Sequence, residues 1–249
     1  MTWITWHQLL LALAATVVLS FFHFVTPYLS HRWKTTGKAF ASFAGGVAVA
    51  FVFLHMLPEL VEQNEPIGKL LAKLHWLTPL GDLSIFIAAL AGFLIYYGLE
   101  ILAEKQTSTS SNSLYRLHIA TFCLYNFLIT YTMTLRIATG LFFSLVFIIA
   151  MSLHFIIIDK KFTRLYPKKF SHTWRFILVG ALLLGWVVSV VFDPVNVLVV
   201  AMMTAFLSGS ILLNVFREEL PSANRTSYRS FLLGSMLVTG VLVAQAFVA

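Results

Sequence analysis

Few side chains in this chain are equipped for chemistry, and most of them lie inside apolar runs. His154 sits among Ser152, Leu153, Phe155 and Ile156, with Ser144 and Met151 earlier in the same run. The preceding run carries His118, Thr121, Tyr125, Asn126, Thr130, Thr132 and Met133. At about 100° per residue these fall on one half of a helix, which gives that helix a polar face. Two adjacent helices with polar faces predict a shared polar interior. Asn126 and the hydroxyls suit interhelical hydrogen bonding, whereas an imidazole in that setting equally suits an ion path. Two further groups flank prolines: His55 and Glu59 around Pro58, and Glu218 and Glu219 before Pro221. Glu100 and Glu104 close another apolar run and are expected to be solvated. His7, His23, His31, His75 and His172 stand singly near run ends or in loops and receive no role.

The elements that must position these groups follow from composition. Of 249 residues, 59% are hydrophobic and only 11% charged, with a mean hydropathy of +0.86. A soluble domain carries roughly 25% charged residues, so this chain could not cover its own surface in water. That excludes a soluble globular protein and a disordered chain. It also excludes a nucleic-acid-binding domain, despite a net charge of +7 and a pI near 9.6. The single cysteine, Cys123, permits neither an intramolecular disulfide nor a cysteine metal cluster.

A spanning helix needs about 20 mostly apolar residues. Eight segments qualify: Trp6–Leu29, Ala39–Leu60, Leu83–Ala103, Leu117–Leu135, Ala138–Ile158, Trp174–Phe192, Val195–Phe216 and Tyr228–Val248. The first lacks the basic lead of a cleavable signal and reads as a retained helix. Basic residues divide unevenly between the loops. Arg32, Lys34, Lys38, Lys105, Arg116, Lys160, Lys161, Arg164, Lys168, Lys169, Arg175, Arg217, Arg225 and Arg229 follow odd-numbered spans; only Lys69, Lys73 and Arg136 follow even ones. The positive-inside rule makes the odd loops cytoplasmic and places both termini outside. The expected organisation is one polytopic membrane domain over 1–249. Within it, spans one to three occupy 1–104, a polar cytoplasmic linker 105–113, and spans four to eight 114–249. The Lys160–Lys169 run could also hold anionic head groups at the inner leaflet.

Spans two and seven resemble each other. Gly46-Val-Ala-Val-Ala-Phe-Val-Phe-Leu-His-Met-Leu-Pro58 aligns with Gly209-Ser-Ile-Leu-Leu-Asn-Val-Phe-Arg-Glu-Glu-Leu-Pro221. Spans three and eight share a weaker echo, Gly92 to Gly98 against Gly234 to Gly240. The members of each pair cross the membrane in opposite directions, the pattern of an inverted-topology repeat. The expected fold class is therefore all-α integral membrane: eight transmembrane helices, with inverted repeats (spans 1–3 and 6–8) around spans 4–5.

Taken together, these features resemble the ZIP family of metal transporters, along the whole chain. Gly45-Gly46 leading to His55-Met-Leu-Pro58-Glu59 looks like that family's second helix, and Ala91-Gly92-Phe93-Leu94 like its third. Arg217-Glu-Glu-Leu-Pro221 followed by Phe231-Leu-Leu-Gly234 resembles the junction of its last two helices. The resemblance implies a divalent metal cation as cargo, a homodimer, and a place in the cell membrane. The metal-site motifs are degenerate. The family's His-Asn-x-x-(Asp/Glu)-Gly matches Tyr125-Asn126-Phe127-Leu128-Ile129-Thr130, and its His-Glu-x-Pro-His-Glu matches His154-Phe155-Ile156-Ile157-Ile158-Asp159. What carries over is Asn126, His154 and Asp159 as metal ligands, with His55 and Glu59 at the outer mouth. Asp159 could alternatively pair with Lys160 or Lys161. A transition metal wants about four N, O or S ligands, so this set predicts one weak site, completed by His118, Met151, water or His55.

The leading expectation is a ZIP-like permease for a divalent cation of the Zn, Fe or Mn class. The alternative is a non-transporting relative acting as sensor, scaffold or partner subunit. A metal hydrolase using His23, His118 and His154 ranks last, because no His-x-x-x-His pair supports it. A glycine-rich phosphate loop and a serine-nucleophile motif are absent. The expected surroundings are thus the lipid bilayer and a cation, with no enzymatic activity, no bound cofactor and no nucleic acid.

Overall fold

The computed structural model of the chain describes residues 5–32, 37–62, 64, 78–105, 112–167, 170, 172–192, 197–220 and 227–247. Residues 106–111 of the expected linker, Pro221, and the loop bases Lys34, Lys69, Lys73, Lys168, Lys169 and Arg225 lie outside the described residues. So do the side chains of Glu104 and Glu219.

Among the described residues the protein is helical throughout, with no strand. The helices are α1 (Trp6–Arg32), α2 (Gly37–Phe51), α3 (Thr78–Lys105), α4 (Asn112–Tyr131), α5 (Met133–Thr139), α6 (Leu141–Leu165), α7 (His172–Val191), α8 (Val197–Asn214) and α9 (Tyr228–Ala246). Six apolar segments, Trp6–Tyr28, Lys38–Glu62, Leu83–Leu102, Leu141–Leu165, Thr173–Val191 and Leu198–Glu218, are long enough to cross a bilayer. This makes the chain an integral membrane protein. The fourth and eighth expected spans also form helices. The fourth, however, is divided at Thr132 into α4 and α5, and the eighth is a shorter apolar helix, Tyr228–Ala244. Large apolar side chains such as Leu90, Leu94, Val191, Phe192 and Leu233 point outward, while Thr16, His23, Asn126, Thr130 and Asp159 are buried. That inside-out distribution is stable only where the surroundings are hydrocarbon.

Two boundaries differ from expectation. The fifth span was expected to end at Ile158, before two lysines; α6 runs on to Leu165 because Lys161 is neutralised inside the bundle. Asn112 and Ser113, expected in the linker, begin α4.

The bundle is held by close helix pairs: α2 with α9, α3 with α8, and α4 with α7, while α1 lies against α6, α7 and α5. Glycines set the first two seams. A methyl group on Gly46 would collide with the carbonyl of Phe231, and one on Gly209 with the carbonyl of Ala89. Likewise Gly92 abuts the Phe206 carbonyl, and Gly234 that of Phe43. Backbones approach this closely where packing, rather than exclusion of water, must hold helices together. Ser235 adds a hydrogen bond from its hydroxyl to the Gly46 carbonyl (3.1 Å). The α4–α7 seam is closed by Thr130, whose hydroxyl donates to the Leu182 carbonyl (2.7 Å) beside Gly185.

The same interval that separates Gly46 from Gly209 also separates two π-helical turns, Val52–Met56 after α2 and Val215–Glu219 after α8. Each turn carries one extra residue per turn and so re-aims the side chains beyond it. His55 lies in the first turn and Glu218 in the second.

Candidate functional site

Helix α6 carries polar groups along its whole length and organises three clusters. Phe143, Ser144 and Phe147 near its start face a cleft; His154 and Asp159 point into the bundle; Lys161 lies in a charge network. At about 1.5 Å rise per residue, Phe143 and Lys161 stand roughly 27 Å apart along the axis. Glu59 marks one of these ends and Glu218 the other.

The middle cluster joins three helices. His23 of α1 turns Nδ1 toward both carboxylate oxygens of Asp159 of α6, at 3.1 Å each. Its Nε2 meets the side-chain amide of Asn126 of α4 at 3.4 Å. All three residues are fully buried. With the imidazole proton on Nδ1, His23 donates to Asp159 and accepts from Asn126, an arrangement that leaves the Asn126 Oδ1 buried without a hydrogen-bond partner. Phe155 stacks on the imidazole (centroids 4.5 Å, 25°) and Phe122 meets it edge-on (6.2 Å). These aromatic walls keep the pair dry, which strengthens the imidazole–carboxylate contact. His154 is also fully buried, with Tyr125 at 5.7 Å between ring centroids. It stands apart from the His23–Asp159 pair because positions five apart on a helix diverge by roughly 140°.

Asp159 therefore takes neither of the lysine partners that the sequence offered. Lys161 instead bonds Glu100 of α3 and reaches Glu218 at 3.0 Å. Arg217 approaches Glu100 at 3.0 Å, and Arg164 approaches Glu218 at 3.5 Å. Glu100, expected to be solvated, is 2% exposed and belongs to this network. The reason is the length of α3, which carries the helix on to Lys105 and leaves Glu100 inside the bundle. Between the network and the aromatic core, Tyr96, His118, Phe162 and Asn214 enclose a space of about 10 Å³, room for one water. His118 hydrogen-bonds the Tyr166 hydroxyl at 3.1 Å, and burial raises that phenol above its ordinary value. This end is sealed.

At the Glu59 end, Arg136 holds both carboxylate oxygens of Glu59, at 2.8 and 3.1 Å. His55 lies 3.9 Å from the same carboxylate and stacks on Phe143 (5.0 Å, 13°). Arg136 also covers the Phe147 ring at 4.5 Å. These groups, with Glu62 and Ser144, line an open cleft of about 300 Å³.

The five candidate metal ligands thus fall in two places. Asn126, His154 and Asp159 lie in the interior, His55 and Glu59 in the cleft. Among the described residues, no group of three or more His, Cys, Asp or Glu side chains is arranged to hold a metal ion. The interior donor that sequence reasoning missed is His23. Its signal was its depth, well inside the first apolar run rather than near its end. No family model, curated protein or solved structure matches the chain.

Proposed function

We propose that the chain is a ZIP-like membrane permease that moves a divalent cation by alternating access. It would have eight spans, inverted repeats and both termini outside. The observation that carries this reading is the exchange of seams between the two halves. Gly46 packs on Phe231 as Gly209 packs on Ala89, Gly92 on Phe206 as Gly234 on Phe43, and a π turn follows each of α2 and α8. Two halves built to one plan and crossing in opposite directions can rock against the helices between them, opening one end as the other closes. Those intervening helices, α4 and α6, carry Asn126, His154 and Asp159, which His23 meets from α1, and an ion-paired cluster stands at either end.

The cargo would pass between His23, Asn126 and Asp159, with His154 beside them and His55 and Glu59 at the entrance. One imidazole, one carboxylate and an amide oxygen without a partner make a mixed N/O set. It is poorer in nitrogen and sulfur than a structural zinc site, and suits Mn or Fe at least as well as Zn. A loosely held ion is what a permease needs, since the cargo must leave. Uptake of Mn, Fe and Zn into proteoliposomes tests this directly. Asp159→Asn and His23→Ala are expected to reduce uptake at least tenfold while the protein still folds. Uptake that is absent for all three ions, or unchanged in both variants, overturns the reading.

A second reading has an observation of its own: Glu59 is already neutralised by Arg136, and Asp159 by His23. A non-transporting relative that keeps the fold as a sensor, scaffold or partner subunit would keep those pairs closed. A stable protein partner co-purifying in the absence of any ion flux would favour it.

A further inference from the structure

Arg175, in the first turn of α7, is 5% exposed, yet its guanidinium makes no ion pair and no hydrogen bond among the described residues. Its one close companion is the Phe170 ring, 5.0 Å from the guanidinium carbon. Its Nε is buried without a partner. A buried guanidinium that no carboxylate directly pairs is unfavourable, and elsewhere in this protein buried charges are paired. The nearby carboxylate, Asp159, presents both oxygens to His23.

Arg175 lines an open pocket of about 270 Å³ between α1, α6 and α7, together with Lys160, Arg164, Thr26, Thr163 and Pro27. Three cations converge there and the lining includes no acid. The hydroxyls of Thr26 and Thr163 donate to the carbonyls of Phe22 and Asp159, so recognition falls to the cations. Arg164 is largely exposed and reaches Glu218 only at 3.5 Å, which leaves much of its fork available. The positive end of the α7 dipole adds to the same field. The pocket lies toward the Glu218 end, sharing Lys160 and Arg164 with the pocket that Glu218 lines; the uneven distribution of bases along the sequence assigns that end to the leaflet where anionic head groups concentrate.

We propose that this pocket is a phosphate-binding site, filled by the head group of an anionic phospholipid or by free phosphate. The guanidinium of Arg175 is its inner wall, with Lys160 and Arg164 closing over the bound group. Planar, bidentate donation to phosphate oxygens is what an otherwise unpaired arginine supplies. The site is independent of the transport reading.

The test uses the full chain purified in phosphate-free buffer. Binding of phosphatidylglycerol, phosphatidylcholine and inorganic phosphate is followed by native mass spectrometry and thermal shift. Phosphatidylglycerol is expected to bind and to raise the melting temperature, while phosphatidylcholine does neither. Inorganic phosphate competing at millimolar concentration would identify the free anion as a ligand, and failure to compete would identify the lipid. Arg175→Gln should weaken binding tenfold or more, and Arg175→Lys should restore part of it. Arg164→Gln, at an exposed position, should cost about fivefold without affecting folding. Absence of binding by both phosphatidylglycerol and phosphate overturns the proposal, as does unchanged affinity in Arg164→Gln together with Arg175→Gln or, should that variant not fold, together with Lys160→Gln.

Discussion

The Glu59 and Glu218 ends each lie at a π turn, Glu59 three residues past the turn Val52–Met56 and Glu218 within the turn Val215–Glu219, yet they are built differently. At the Glu59 end a single carboxylate is clamped by Arg136 at the edge of an open cleft of about 300 Å³. At the Glu218 end two carboxylates and three cations interlock, and Lys161 and Glu100 are almost wholly buried. One end holds a single pair, a buried Arg136 and a Glu59 carboxylate that lines the cleft. At the other, each carboxylate has two cationic partners and shares Lys161 with its neighbour.

The contrast can be broken by removing one charge from each end. Lys161→Met removes the cation that Glu100 and Glu218 share, leaving Glu100 with Arg217 and Glu218 with Arg164 alone, and should cost about 3 kcal/mol, because Glu100 is buried and loses its closest countercharge. Arg136→Met leaves Glu59 with one face on the open cleft and should cost less, about 1–2 kcal/mol, since the carboxylate left behind can be hydrated. Thermal unfolding in detergent measures both; equal losses would erase the distinction. The seams offer the next test. Gly46→Ala and Gly209→Ala each drive a methyl into a facing carbonyl and should destabilise by roughly 1–3 kcal/mol, and by similar amounts if the halves are equivalent. Gly98→Ala and Gly180→Ala, where a methyl meets nothing within 4 Å, should be neutral or slightly stabilising in the same assay. The smallest effect concerns the Arg136–Glu59 pair itself. Under the proposed transport reading, Arg136→Gln would free Glu59 for an incoming cation and should lower the uptake KM about fivefold with kcat little changed. A kcat effect instead would assign Arg136 to the conformational step.

Much of the frame was legible in the sequence because burial in a membrane is a property of runs of residues. The apolar segments, the polar face of α4 and the small residues at the seams could each be read from a window of one helix. The partners of charged groups could not. The distance along the chain from His23 to Asp159 is 136 residues, and nothing near either residue announces the other. His23 looked like one more isolated histidine, and Asp159 had two lysines as its nearest neighbours. Glu100 looked solvated because it lies near the end of an apolar run, and only the packing of α3, α6 and the turn after α8 draws it inside.

What the sequence determined by itself was therefore the solvent: a chain so poor in charge must live in hydrocarbon, and each run long enough to span must become a helix. What only the tertiary structure decided was which of the few charges meet. Helix formation in a membrane follows from local hydrogen bonding, which each segment satisfies alone. Charge pairing follows from the order in which helices pack, and here that order brings α1 to α6 rather than leaving Asp159 to the lysines beside it.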